Sequence, residues 1–392
     1  MTASDAHSTL HPRIGSAARS ESSDTSVDAP SMSSSPQSET VVTSTYASAP
    51  LLLNLERADT GGGSGSGGDS SGGSSPPTAW HLGSRWCNLG LWPESASLAA
   101  ETPFQSACAA LATAVGDAAA LRANDAVLDV GVGYAEQTAL WVERYGVRRV
   151  VAIEPSRAHV EAARRAQRDG SLAGAGVVEL LHGSASSLLT TIHGGDQVSS
   201  ASASSFDAVV CLDCAYHFRT RASFLRDAAA LLKPGGGRFA AADLIVADDE
   251  ATDTSSCSRS SAGSSAVKSS SSGDVKISSS WWRRWWRRMW RAAARRLIAA
   301  LCDIPGANLH GADEYVAALE AAGLQPTAIE PIGTRVLRPF SEHARRQRDA
   351  LRASGAIGRG EWLALSLIGA LFAFVARNRL FEMVLVSAVR VK

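Results

Sequence analysis

The sequence predicts an α/β domain built on a doubly wound parallel sheet, and three observations carry that reading. The run Val127-Leu128-Asp129-Val130 ends in Gly131 and Gly133 and leads into a helix-like segment, residues 135–144, the pattern of a strand, a tight turn and a helix start. Four further apolar runs, at 149–153, 177–181, 206–212 and 238–242, alternate with segments of helical periodicity. Polar and glycine residues gather just past the ends of these runs, where open α/β sheets bind their ligands.

The chain has 392 residues and no formal net charge, so bulk electrostatics argue for neither nucleic acid nor an acidic substrate. Residues 1–78 are rich in Ser, Thr, Ala, Asp and Gly, with a Gly/Ser tract at 61–75; they lack the apolar surface to offset ordering entropy and are expected to form a disordered tail and linker. Their one apolar island, 46–55, is expected to dock as a short helix. The ordered domain is expected over 79–392. It opens on Trp80-His81-Leu82-Gly83-Ser84-Arg85-Trp86-Cys87-Asn88-Leu89-Gly90-Leu91-Trp92, a loop holding three tryptophans, followed by a helix over 97–121. Six cysteines without disulfide-scaffold density, and no secretory signal at the start, set the expectation of a reducing, cytoplasmic setting. Cys211 and Cys214 form a CxxC with no second pair; they read as buried thiols, and no metal site is expected.

The first turn selects the cofactor class. Gly131 and Gly133 carry no Cβ and permit close approach of a nucleotide-like group. A dinucleotide fingerprint needs a glycine where Glu136 stands, and a carboxylate there would repel a pyrophosphate, which disfavours a dehydrogenase. An acid before the glycines, Asp129, suits a cofactor with a positive charge and an amino group. On this hydrophobic-Asp-x-Gly-x-Gly motif the sequence resembles the class I S-adenosylmethionine-dependent methyltransferases of small-molecule type, with Ala135 in place of the third glycine. The resemblance implies S-adenosylmethionine as cofactor and a Rossmann-like seven-stranded sheet whose last strand is antiparallel. It covers about 80–246 and, more thinly, 297–392. Sterol, quinone and tocopherol methyltransferases carry a segment similar to 80–92 that helps close the site; a simple cap on the core is the other reading.

The second strand ends in Glu154-Pro155, 23 residues beyond Gly131, where a carboxylate can accept both ribose hydroxyls of an adenosine cofactor. Ser156 is placed to cap a helix over 156–168. The third strand leads to Gly183-Ser184-Ala185, where relatives place Gly-Asp-Ala, so a hydroxyl would meet the adenine edge instead of a carboxylate. Residues 194–205 read as a polar surface loop. The fourth strand ends in Asp213-Cys214-Ala215-Tyr216-His217, and after a helix over 219–232 the turn Leu232-Lys233-Pro234-Gly235-Gly236 matches the family closely. The expected cofactor-binding set is Asp129, Gly131, Val132, Gly133, Gln137, Glu154, Pro155, Ser184, Ala185 and Asp213. For the catalytic set, His217 is expected to act as general base, since an imidazole titrates near neutral pH. Asp243, at the end of the fifth strand, would orient it, as in sugar and natural-product O-methyltransferases of similar sequence. Tyr216 is the alternative proton acceptor, or else a ring that packs on the cofactor.

Residues 247–280 return to a Ser-rich composition and read as a flexible insertion. The helix that follows, 281–302, separates Trp and Met from Arg into two halves as far as Arg295. Aromatics opposite arginines describe an interfacial helix, so Trp281–Arg295 is expected to touch an intracellular membrane, or else to pack its tryptophans on the domain as a lid; nucleic acid is not expected. Further on come a helix at 311–322, a strand at 324–330, a basic helix at 335–352 and a last strand at 381–391. Between the last two, 362–376 is an apolar run of 15 residues, short of the ~20 that span a bilayer, and reads as buried or membrane-resting. The expected activity is methyl transfer to an oxygen or carbon of an apolar small molecule such as a lipid, quinone or polyketide-like compound. The alternative is a catalytically inactive, membrane-associated binding protein, motivated by Ala135 and Ser184.

Overall fold

β-branched runs and their turns form strands close to where the sequence places them, and the pairing of those strands brings the functional edges together. The computed structural model describes residues 51–57, 80–174, 176–193, 205–249 and 279–391, all within the unit Thr43–Lys392. The expected tail at 1–50 and 58–78, the loop at 194–204 and the insertion at 250–278 lie outside the described residues.

In chain order the elements are β1 (Leu55–Arg57), β2 (Trp80–Leu82), α1 (Ala96–Glu101), α2 (Phe104–Ala118), β3 (Ala126–Val130), α3 (Glu136–Tyr145), β4 (Arg149–Glu154), α4 (Arg157–Arg168) and β5 (Val178–His182). They continue with α5 (Leu188–His193), β6 (Ala208–Leu212), α6 (Arg221–Leu231), β7 (Arg238–Val246), α7 (Ser279–Leu301), α8 (Ala312–Ala321), β8 (Leu324–Pro331), α9 (Leu337–Ala353), α10 (Arg359–Asn378) and β9 (Phe381–Arg390). Seven strands make one sheet in the order β5-β4-β3-β6-β7-β9-β8. The first five in that order run parallel, and β9 lies antiparallel to both of its neighbours. This is the doubly wound, Rossmann-like architecture with an antiparallel last strand.

Strand alternation divides the core between two faces. Val127, Ala208 and Val210 join Leu111, Trp141 and Phe340 on one side, while Leu128, Val209 and Cys211 join Phe224, Phe239 and Tyr315 on the other. The central strands β3 and β6 are buried along their whole length, which is why they read as continuous apolar runs.

Four expectations need correction. The helix expected at 97–121 is two helices, because Pro103 offers no N–H and holds Thr102 extended before it. β7 does not stop at Ala242; β9 pairs with all nine of its residues, from Arg238↔Val389 to Val246↔Phe381. The apolar island expected to dock as a short helix does dock, but its end forms a strand: β1 pairs with β2, Leu53 and Asn54 are buried, and Gln347 of α9 donates to the carbonyls of Leu52 and Leu55. The apolar run at 362–376 lies within the 20-residue helix α10, which therefore has the length to cross a bilayer. Leu365, Gly369 and Val375 nevertheless bury one side of it against the domain.

Candidate active site

The site forms at the carboxyl ends of β3, β4, β5 and β6. Gly131 and Gly133 both take positive φ, +80° and +56°, in the turn after β3. A Cβ on Gly131 would stand 2.4 Å from Cys214 Sγ, so the turn and the exit of β6 touch only because that residue is glycine. Ala135 begins α3 at φ 67°, a left-handed conformation that glycine adopts without a Cβ penalty.

Glu154, at the end of β4, organises the floor. Its Oε2 accepts from Gly133 N (2.8 Å), and its Oε1 accepts from Ser156 N (3.1 Å) and lies 3.2 Å from His159 Nδ1. The expected cap is present, with Ser156 Oγ accepting from His159 N. The second wall comes from β5: Ser184 Oγ accepts from Ser186 N, leaving its hydroxyl proton to donate elsewhere. From β6, Asp213 sits at φ 56° with Oδ2 accepting from Leu89 N (2.9 Å) and Oδ1 from Tyr216 Oη (3.0 Å). Burial raises the Asp213 carboxyl to about 7.

These groups line a cavity of about 350 Å³. Of the expected cofactor-binding residues, Gly131, Val132, Gly133, Gln137, Glu154, Pro155, Ser184, Ala185 and Asp213 all face it, as does His217. The tryptophan-rich segment also reaches it, through Cys87 and Asn88. That segment is clamped by two acids, Asp213 on Leu89 N and Glu136 on Arg85 N, while Trp92 is fully buried in the core.

Three expected residues take other positions. Asp129 does not line the cavity: it faces α3 and is completely buried, accepting from Thr138 Oγ1 (2.7 Å), Trp141 Nε1 (2.8 Å) and Gln137 Nε2 (3.3 Å). Burial raises its carboxyl to about 6. Its reach to the site is indirect, through Gln137. Asp243 is not at a strand end, since β7 runs on to Val246, and alternation turns it toward α6 and α8. There Arg221 Nε meets its Oδ2 at 2.8 Å and Tyr315 Oη donates to Oδ2 at 2.9 Å. The expected His217–Asp243 pair is therefore not formed. Tyr216 donates its proton to Asp213, and burial beside that carboxylate holds its hydroxyl well above the ordinary phenol value, so it is no proton acceptor.

His217 is held differently. Its Nδ1 lies 3.2 Å from the carbonyl oxygen of Asp303. A carbonyl only accepts, so Nδ1 carries the proton and Nε2 keeps a lone pair. Asn308 secures the same turn by donating to the carbonyls of Tyr216 and Phe218. Asn308 and His159 were not legible in advance. His159 had one local signal, its place one turn into a helix capped by Ser156 beside Glu154; Asn308 had none.

Comparisons with known proteins agree with this architecture. Residues 128–240 match the family described as a methyltransferase domain. Over 151 residues the chain is 32% identical to erythromycin 3''-O-methyltransferase of Saccharopolyspora erythraea, covering 38% of this chain and 43% of that protein, so less than half of the relative is matched. Among solved structures, a Galdieria sulphuraria protein described as a sarcosine dimethylglycine methyltransferase superposes with a TM-score of 0.55 at 14% identity, covering 78% of this chain and 93% of that one. The geranyl diphosphate C-methyltransferase of Streptomyces coelicolor gives 0.51 at 17% identity, covering 80% and 88%. At these identities the structural likeness speaks for the fold.

Proposed function

We propose that the chain, whose residues 128–240 match a methyltransferase domain, uses S-adenosylmethionine to methylate an apolar small molecule. The observation that carries this is the cavity itself: a glycine turn, two carboxylates and a serine hydroxyl on adjacent strand ends. Glu154 accepts ribose hydroxyls, Ser184 donates to the base edge, and the Asp213 carboxylate favours the positively charged part of the ligand. When bound, the cofactor supplies an electrophilic methyl group. The protein's part is to hold the acceptor in line, keep water out and take up a proton.

Oxygen is the acceptor atom we favour. A hydroxyl needs a base, His217 Nε2 offers one, and the curated relative is an O-methyltransferase. A carbon nucleophile on a lipid, quinone or polyketide-like acceptor is the alternative. A second reading, a binding protein without turnover, draws support from Ala135 in a left-handed conformation and from Ser184 in place of an acid.

Calorimetric titration of the full chain with S-adenosylmethionine tests the proposal. Binding is expected, and Glu154→Ala is expected to weaken it at least about a hundredfold, since two hydrogen bonds to a charged acceptor are lost. A folded sample that does not bind the cofactor would favour the non-catalytic reading.

The same titration should depend on pH. The Asp213 carboxyl lies at about 7, so it is mostly protonated at pH 6 and mostly ionised at pH 8. A cationic ligand prefers the ionised form, so affinity should rise roughly tenfold across that interval. The control is Asp213→Asn, in which most of the increase should disappear. An equal increase in that variant would remove Asp213 from the account.

A further inference from the structure

The Trp/Arg helix α7 attaches to the domain by its arginines and turns its aromatic face outward, the reverse of what a folded-down lid requires. Arg291 and Arg295 are buried. Arg291 donates to the carbonyl of Arg379, Arg295 to those of Leu380 and Ala247, and both pair with Asp249, at 3.0 and 2.9 Å. Ile298 and Ala299 continue this inner face. At about 100° per residue, Trp282, Trp285, Trp286, Met289 and Trp290 fall on the other side of the helix. They are 39–54% exposed, and Leu297 and Leu301, at 62% and 63%, extend the face toward the helix end. Trp290 meets Phe374 edge-to-face with ring centroids 6.1 Å apart. On α10, Phe374 heads an exposed stripe through Ala370, Leu367 and Leu363, spaced at helical intervals.

We propose that this joined α7–α10 face is a membrane-docking surface that inserts into the interfacial layer of an anionic bilayer. Tryptophan favours that layer because its ring is apolar and its indole N–H needs a polar partner. Charge selects the same partner. α7 carries no acidic residue, and besides Arg291 and Arg295, which Asp249 pairs on the inner face, Arg283 and Arg287 are exposed on the tryptophan half's flank. Each such cation near a negatively charged leaflet adds attraction without any requirement to span it. A second copy of this chain would instead have to place one arginine-rich helix against another.

The surface stands whether or not the cavity transfers methyl groups. Its position suggests what it is for, and this part rests on the methyltransferase reading. Two residues beyond α7, Asp303 supplies the carbonyl that holds His217 and pairs with Arg219 at 2.9 Å. The docked helix thus ends two residues from the carbonyl that holds His217, so docking would bring an apolar acceptor dissolved in the bilayer close to that side of the cavity.

The test is co-sedimentation of the full chain with vesicles of phosphatidylcholine alone or mixed with phosphatidylglycerol. The chain is expected to pellet with the mixed vesicles. The double substitution Trp285→Ser, Trp286→Ser should lower partitioning roughly a hundredfold. The pair Arg283→Glu, Arg287→Glu should abolish the preference for phosphatidylglycerol. Circular dichroism and cofactor titration are expected to be unchanged in both variants, which separates failure of this proposal from failure of the methyltransferase reading. Three results would overturn it: no pelleting of the wild-type chain, pelleting unchanged by the tryptophan substitutions, or a lipid-free oligomer that those substitutions dissolve. Capture by duplex DNA in preference to vesicles would overturn it as well.

Discussion

His217→Ala is expected to lower kcat by roughly 10²–10⁴-fold while S-adenosylmethionine still binds within about threefold of the wild-type affinity. The expectation rests on the tautomer. With Nδ1 donating to the Asp303 carbonyl, Nε2 is the nitrogen that can accept a proton, and the ring borders the cavity. Because the side chain is exposed, its removal should cost little stability. Two measurements separate base catalysis from a merely structural role: the thermal midpoint of the variant should stay close to wild type, and His217→Gln should fail to restore turnover. A kcat within about threefold of wild type would remove His217 from the mechanism and move the search toward a carbon acceptor that needs no base.

Asp243→Ala and Arg221→Met are each expected to destabilise the fold by about 3–5 kcal/mol, because either change leaves the opposite charge buried and unpaired. Both side chains are almost wholly shielded from solvent. Asp243 accepts from Arg221, Tyr315 Oη and Leu244 N; Arg221 also donates to the carbonyls of Leu244 and Asn308 and lies under the Tyr315 ring at 4.8 Å. The group ties α6 and α8 to β7 beneath the turn that bears His217. Denaturant unfolding of the two single variants and the double variant would measure it, and the double should lose less than the sum of the singles. Turnover per folded molecule should fall far less than in His217→Ala. A large kcat loss at unchanged stability would restore Asp243 as the orienting acid of the histidine.

Those two cases mark where local reading succeeds and where it stops. The strands, the glycine turn and Glu154 were legible because each depends on a few neighbouring residues: β-branched runs, residues that tolerate positive φ, and the 23-residue spacing of one helix and one strand. Ser156 as a cap follows from the same local rules. Asp129 and Asp243 look the same in sequence as Glu154 and Asp213, an acid near the end of an apolar run. They differ in which side of the strand they occupy and in which helix lies over that side: Trp141 and Thr138 for one, Arg221 and Tyr315 for the other.

The α7 helix shows the same limit on a larger scale. Composition and period determine that tryptophan and arginine part into two faces, but they are silent on which face turns inward. That was decided by partners far away in the chain, the carbonyls of Arg379 and Leu380 at the α10–β9 junction, which offer buried arginines the acceptors that a buried indole face would leave unmet. What the chain alone determined, then, is its central strands, their turns and the chemistry available at their ends, since these are short-range consequences of shape and hydrogen-bonding capacity. Which of the acids face the cavity, what holds His217 and which half of α7 meets solvent were decided only when distant segments packed, because each depends on a donor, acceptor or charge supplied from elsewhere in the chain.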